Sequence, residues 1–250
     1  MLMLKILSGA WLLSWICVIM IVLITCLKKK VQIRFLRFIS LHFRRNAIVK
    51  KKYEFVEGDE KVTPAGIIVK RIRALVAVQD TSVVPGDLGG YIQQESNLDH
   101  CGAAWVYDNA QVYGNAQVTG SARVCHNARV YGDAQIYGYA YVYGNARVCG
   151  DAQVSGNARV SDAALVDGDA RVYGDGLIFW ASKVGTQNGT LTVYNTKDNG
   201  LFVTRGCFLG TPAEFLARSA KQHDERTHRE YSLLIEVATS RIETARAKFA

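Results

Sequence analysis

The sequence predicts a mainly β chain built on a stack of parallel, three-sided coils, with a β cap before the stack and an α+β cap after it. Three observations predict it. An aliphatic residue recurs every six positions from Val106 to Val184 without slippage. A small residue, from Ala110 to Ala170 and then Gly176 and Ser182, falls four positions after each. Between them, Gly usually stands two positions after the aliphatic residue and Asn or Asp three after. Fixed self-similarity at a short period decides architecture before local propensity does.

Residues 1–49 form an apolar and basic leader. Between Lys5 and Lys28 lie 22 residues without a charge, Ile6 to Leu27. As a helix they would reach about 33 Å, enough for a bilayer core of about 30 Å. One lysine precedes this stretch, whereas Lys28, Lys29, Lys30, Arg34, Arg37, Arg44 and Arg45 follow it. Positive-inside logic then expects a transmembrane helix over 6–27, a single pass through the inner membrane, and the rest of the chain in the cytoplasm. A second reading competes. Arg44-Arg45-Asn46 can be encoded with an internal AGGAA shortly before a GTG at Val49, which would start a soluble cytoplasmic protein there. Residues 1–49 hold eight bases and no acid, which equals the net charge of +8 for all 250 residues. The high pI therefore belongs to the leader, and a nucleic-acid partner is not expected.

Residues 50–98 read as an N-terminal β cap. Strands are expected within 53–77, and the glycine-rich Pro85–Ile92 leads into the first coil. Residues 99–184 carry the repeat. In each hexad a short strand points its aliphatic residue inward and its two neighbours outward. The Gly-Asn/Asp pair turns the chain, and the Ala fills the corner where only a small side chain fits. Three hexads close one coil of 18 residues, so the series makes about 4.7 coils, or roughly 22 Å of stacked strands. Residues 185–250 read as a hairpin plus two helices. Thr190–Tyr194 and Leu201–Thr204 flank the turn Lys197-Asp198-Asn199-Gly200. Thr211-Pro212 starts one helix, and Arg229–Ala247 forms another with Leu233, Leu234, Val237 and Ile242 as its apolar face.

Units such as Val112-Tyr113-Gly114-Asn115-Ala116-Gln117 resemble the hexapeptide repeat of the left-handed parallel β-helix superfamily, which includes trimeric acyltransferases. Gly86-Asp87-Leu88-Gly89-Gly90-Tyr91-Ile92, Trp105–Ala110, Ser182–Gly185 and Thr204–Phe208 together resemble enterobacterial and prophage members labelled transferases. The resemblance implies a left-handed coil, a homotrimer, and an acyltransferase alternative with an acyl-CoA co-substrate and His126 as base. A label inherited from a fold is not a function.

The residues themselves speak more for binding than for catalysis. His126 is the one histidine inside the coils and stands where Gly normally turns the chain. No insertion interrupts the phase, so no substrate loop is extruded. No CxxC pair or histidine at zinc spacing suggests a metal site, and no cofactor is expected. His100, His223 and His228 lie in the flanks without triad spacing. Residues 18 apart stack on one face, giving a ladder of Trp105, Arg123, Tyr141, Arg159 and Leu177. Others run Tyr107, Cys125, Tyr143, Ser161 and Gln111, Arg129, Arg147, Leu165. Arg123 and Arg159 would flank Tyr141 within cation–π reach. The expected function is thus a non-catalytic scaffold or binding module, prophage-encoded by resemblance. It presents Arg123, Tyr141, Arg159, Arg129, Arg147 and Tyr143 to a protein or anionic partner. Turn acids such as Asp108, Asp133, Asp151, Asp169 and Asp175 offset the arginines, which argues against a DNA groove.

Overall fold

The six-residue period becomes a parallel β-solenoid in the computed structural model, which describes residues 51–174 and 176–248. The leader, including the expected span over 6–27, lies outside the described residues, as does Asp175. Among the described residues no helix is long and apolar enough to cross a membrane.

Twelve two-residue strands, from Trp105–Val106 to Arg171–Val172, distribute over three faces of four strands each. Neighbours on a face are 18 residues apart and parallel, as in Tyr141 paired with Arg123 and Arg159. The first face carries Trp105, Arg123, Tyr141 and Arg159, the second Gln111, Arg129, Arg147 and Leu165, and the third Gln117, Gln135, Gln153 and Arg171. The inward Val/Ile series from Val106 to Val172 and the corner alanines from Ala104 to Ala170 are fully buried. Each such Val is worth about 1.5–3 kcal/mol of burial. A single coil could not offset its ordering entropy; stacked coils share ladders and core.

The coils begin earlier than the regular spacing suggests. The strand Leu88–Ile92 closes an antiparallel cap with Tyr53–Val62 and Ile68–Ala74, yet also pairs in parallel with Gln111 and Val112. Leu98 bridges Val118 on the third face. Ile92 and Leu98 are thus inward residues of a first coil, masked in the sequence because two extra residues between Leu98 and Ala104 break the phase. The buried Lys52 ammonium plugs this end, donating to Ala104 O at 2.8 Å, and Tyr53 Oη donates to Leu98 O at 2.9 Å. Burial lowers the Lys52 pKa to about 8.

At the other end the spacing outlasts the solenoid. Ile178 and Val184 keep the six-residue interval, but they lie in one strand, Ile178–Val184, paired antiparallel with Gly189–Asn195. The hairpin expected from the sequence pairs Gly189–Asn195 with Leu201–Arg205, and Phe208–Gly210 completes the sheet. This sheet seals the last coil with side chains. Thr192 Oγ1 accepts from Leu165 N at 3.1 Å, Thr204 Oγ1 donates to Leu165 O at 2.6 Å, and Tyr194 Oη donates to Asp167 O at 3.0 Å. Groups that would otherwise template another strand are satisfied.

Two helices follow. Pro212–Gln222 has Thr211 as N-cap in a capping box with Glu214. Glu225–Arg246 begins four residues before the expected start because Asp224 caps it through Thr227 N. Its buried stripe is Thr227, Tyr231, Ile235, Ala238, Ile242 and Ala245. Of the expected apolar face, Leu233 and Val237 are exposed instead. Tyr231 packs edge-on against Phe215, and this aromatic contact, with small alanines below it, fixes which stripe faces inward.

Candidate functional site: one corner of the solenoid

Every turn of the coil needs a residue with positive φ, and two of the three corners use glycine. Gly114, Gly132, Gly150 and Gly168 line one, with φ of 64–71°. A Cβ on Gly150 would meet Gly168 N at 2.7 Å, so the coils approach too closely there for a side chain. The corner between the first and second faces differs. It carries Asp108 (φ 52°), His126 (φ 58°), Gly144 and Asp162 (φ 56°). Asp and His tolerate the left-handed region better than most side chains but still pay for it. Polar strain confined to one corner is the kind of outlier that marks a site.

The side chains there are tied together. Asp108 Oδ2 accepts from His126 N at 3.0 Å. His126 Nδ1 lies 3.2 Å from Cys125 Sγ, and Gly144 N donates to it at 3.5 Å. A backbone N–H can only donate, so Nδ1 is the acceptor in the Gly144 contact. Cys125 Sγ is also 3.2 Å from Tyr141 Oη. The loop carrying Thr81 and Ser82 rises beside these residues, leaving a cleft of about 240 Å³ lined also by Tyr107 and Arg123. Burial raises the Cys125 pKa. The hydrogen bond with Cys125, then burial, pushes the Tyr141 pKa up to about 12. At neutral pH this is a neutral thiol–phenol pair, without the thiolate that nucleophilic cysteine chemistry needs.

The structure brings some of the expected binding residues together and separates others. Arg123, Tyr141 and Arg159 share the first face in register. The cation–π stack expected there is not formed: Arg123 Nη2 donates to Asp80 O at 2.6 Å, and the Tyr141 ring stacks on Tyr143 at 4.6 Å. Cation–π contacts of the described residues sit elsewhere, on Tyr91 and Phe208. Arg129 and Arg147 are neighbours on the second face, beside the stacked rings of Tyr113 and Tyr131, whose centroids are 5.1 Å apart. His126 joins the corner cluster, at the turn that leads into the strand of Arg129.

Sequence reading missed Asp108 and Cys125 as partners of His126. A search for local ligand spacing cannot see them. The 18-residue ladder could have, because Asp108 lies one coil before His126. Asp108, Cys125 and His126 each offer a ligand atom, all within 4.8 Å of one another.

Three segments of the repeat, 110–126, 122–138 and 152–167, match a family model described as YdcK beta solenoid repeat. The chain is a β-solenoid repeat protein. The first two of those segments contain Cys125 and His126, whereas Asp108 and Tyr141 lie outside the matched residues. No curated protein matches the chain.

Proposed function

We propose that this β-solenoid is a non-catalytic scaffold whose outer faces dock an acidic partner through the Arg/Tyr ladders. One observation carries the reading. All five ion pairs of the described residues lie within residues 51–100, so Arg123, Arg129, Arg147 and Arg159 have no carboxylate within salt-bridge distance among them. Arg129 and Arg147 even stand as direct strand neighbours. Like charges side by side on a sheet are destabilising, and an anionic surface laid across them would relieve that repulsion. Tyr131, Tyr141 and Tyr143 supply flat, rigid contact area beside the charges, with little ordering cost on binding. The acyltransferase alternative would instead require His126 to meet a substrate from the cleft.

The test is affinity capture from the native host with the full chain, run in parallel with an Arg129→Glu/Arg147→Glu variant. A defined partner held by the wild type and released by the variant or by raised salt supports the reading. Equal capture by both would refute the ladders as the docking surface.

A further inference from the structure

We propose that Asp108, Cys125 and His126 form a binding site for a zinc-like divalent metal ion at the polar corner of the solenoid. The donor set comes first. One thiol, one imidazole and one carboxylate suit zinc and cobalt, whereas magnesium and calcium prefer all-oxygen shells. Thiolate and carboxylate together carry two negative charges, which balance a divalent ion.

The geometry is close to what such an ion needs. Zinc–sulfur and zinc–nitrogen bonds of about 2.3 and 2.0 Å at a tetrahedral angle place the two ligand atoms about 3.5 Å apart. Cys125 Sγ and His126 Nδ1 are 3.2 Å apart, and the carboxylate oxygen lies within 4.8 Å of both. Nδ1 is the ring nitrogen turned toward the sulfur, and an ion bound there would take over the lone pair that accepts from Gly144 N. An ion arriving from the cleft would displace the thiol proton, which Cys125 Sγ donates to Tyr141 Oη, and release it to solvent. Three protein ligands leave a fourth position open toward the cleft, beside Tyr141 and Arg123. The Arg123 guanidinium is the one cation of that cleft, and its Nη2 is directed at Asp80 O.

The site also explains where the strain is placed. Asp108 and His126 stand at turns where the other corners use glycine, and both ligands gain a role that glycine could not fill. This inference is independent of the docking reading, which rests on the arginines.

The full chain, stripped with a chelator, is titrated with Co²⁺ and Zn²⁺. One equivalent is expected, and the cobalt form should show sulfur-to-metal charge-transfer absorption. Cys125→Ser should abolish that band while Cys17, Cys26, Cys101, Cys149 and Cys207 remain as internal controls for casual thiol binding. Asp108→Gly and His126→Gly should each weaken binding by at least about tenfold. Both substitutions install the residue used at the other corners, and because Asp108→Gly also removes the bond from His126 N, thermal melts of all three variants separate loss of a ligand from loss of the fold. Absence of stoichiometric binding, a band that survives Cys125→Ser, or unchanged affinity in either glycine variant would overturn the proposal.

Discussion

The backbone N–H of His126 donates to Asp108 Oδ2 at 3.0 Å across one coil, and both residues hold left-handed backbone angles. The corner side chain of one coil thus accepts from the backbone of the next. Asp162 differs, accepting from the side chain of Trp180 in the C-terminal sheet, at Nε1, at 2.6 Å.

Replacing His126 by Gly should therefore leave stability unchanged or raise it by up to about 1 kcal/mol. Relief of left-handed strain is offset by the flexibility glycine adds to the unfolded chain. Urea unfolding of the two proteins measures the difference. If an acyl-transfer activity were found and vanished in this variant, the scaffold reading would fall.

Val142 is fully buried between Val124 and Val160. Val142→Asp places a carboxyl among stacked aliphatics with no partner, at a cost of several kcal/mol. Circular dichroism melting should show a large drop or an unfolded chain. A wild-type melting curve would contradict the inward assignment of the whole series.

The C-terminal seal makes a sharper demand. Thr192→Val with Thr204→Val leaves Leu165 N and O without partners, costing about 1–3 kcal/mol for each group left buried and unpaired. Because the freed groups lie on a strand edge, the double variant should also self-associate in a concentration-dependent way. Light scattering over a dilution series reads this directly; a monodisperse variant of unchanged size would show that the two threonines do not guard the edge.

Alkaline unfolding should separate two buried groups by sign. Burial lowers the Lys52 pKa from 10.5 to about 8, so the unfolded chain binds more protons above pH 8 and Lys52 makes stability rise with pH there. Burial raises the Cys149 thiol from 9.0 to about 12, so its stabilisation is complete below pH 9 and lost as pH rises from there toward 12. Between pH 8 and 9 the Lys52 gain should reach up to about 1 kcal/mol and disappear in Lys52→Met. Above pH 9 the decline should be shallower in Cys149→Ala. Denaturant midpoints at half-unit pH intervals check both slopes.

The repeating part of the molecule was readable because each hexad restates the same steric problem. Val inward, glycine at the bend and Ala at the corner leave one arrangement of the chain, and twelve strands follow it. Legibility failed where a single contact replaced repetition. Two inserted residues after Leu98 hid the first coil, and antiparallel pairing with Gly189–Asn195 captured Ile178 and Val184 although their spacing was unchanged. The final helix turned Leu233 and Val237 outward because Tyr231 found Phe215. The corner cluster failed for another reason. Its members sit 17 and 18 residues apart, a distance that has no meaning for metal or catalytic motifs until the coil length is known.

The three-sided coil also acts as an angular index. Duplicating 18 residues would lift the C-terminal sheet by one strand spacing, about 4.8 Å, and leave it facing the same way. Duplicating six would swing it by a third of a revolution and set Thr192 and Thr204 against the wrong face. Length can therefore drift in whole turns only, so natural variants of this chain should differ in rise but not in heading.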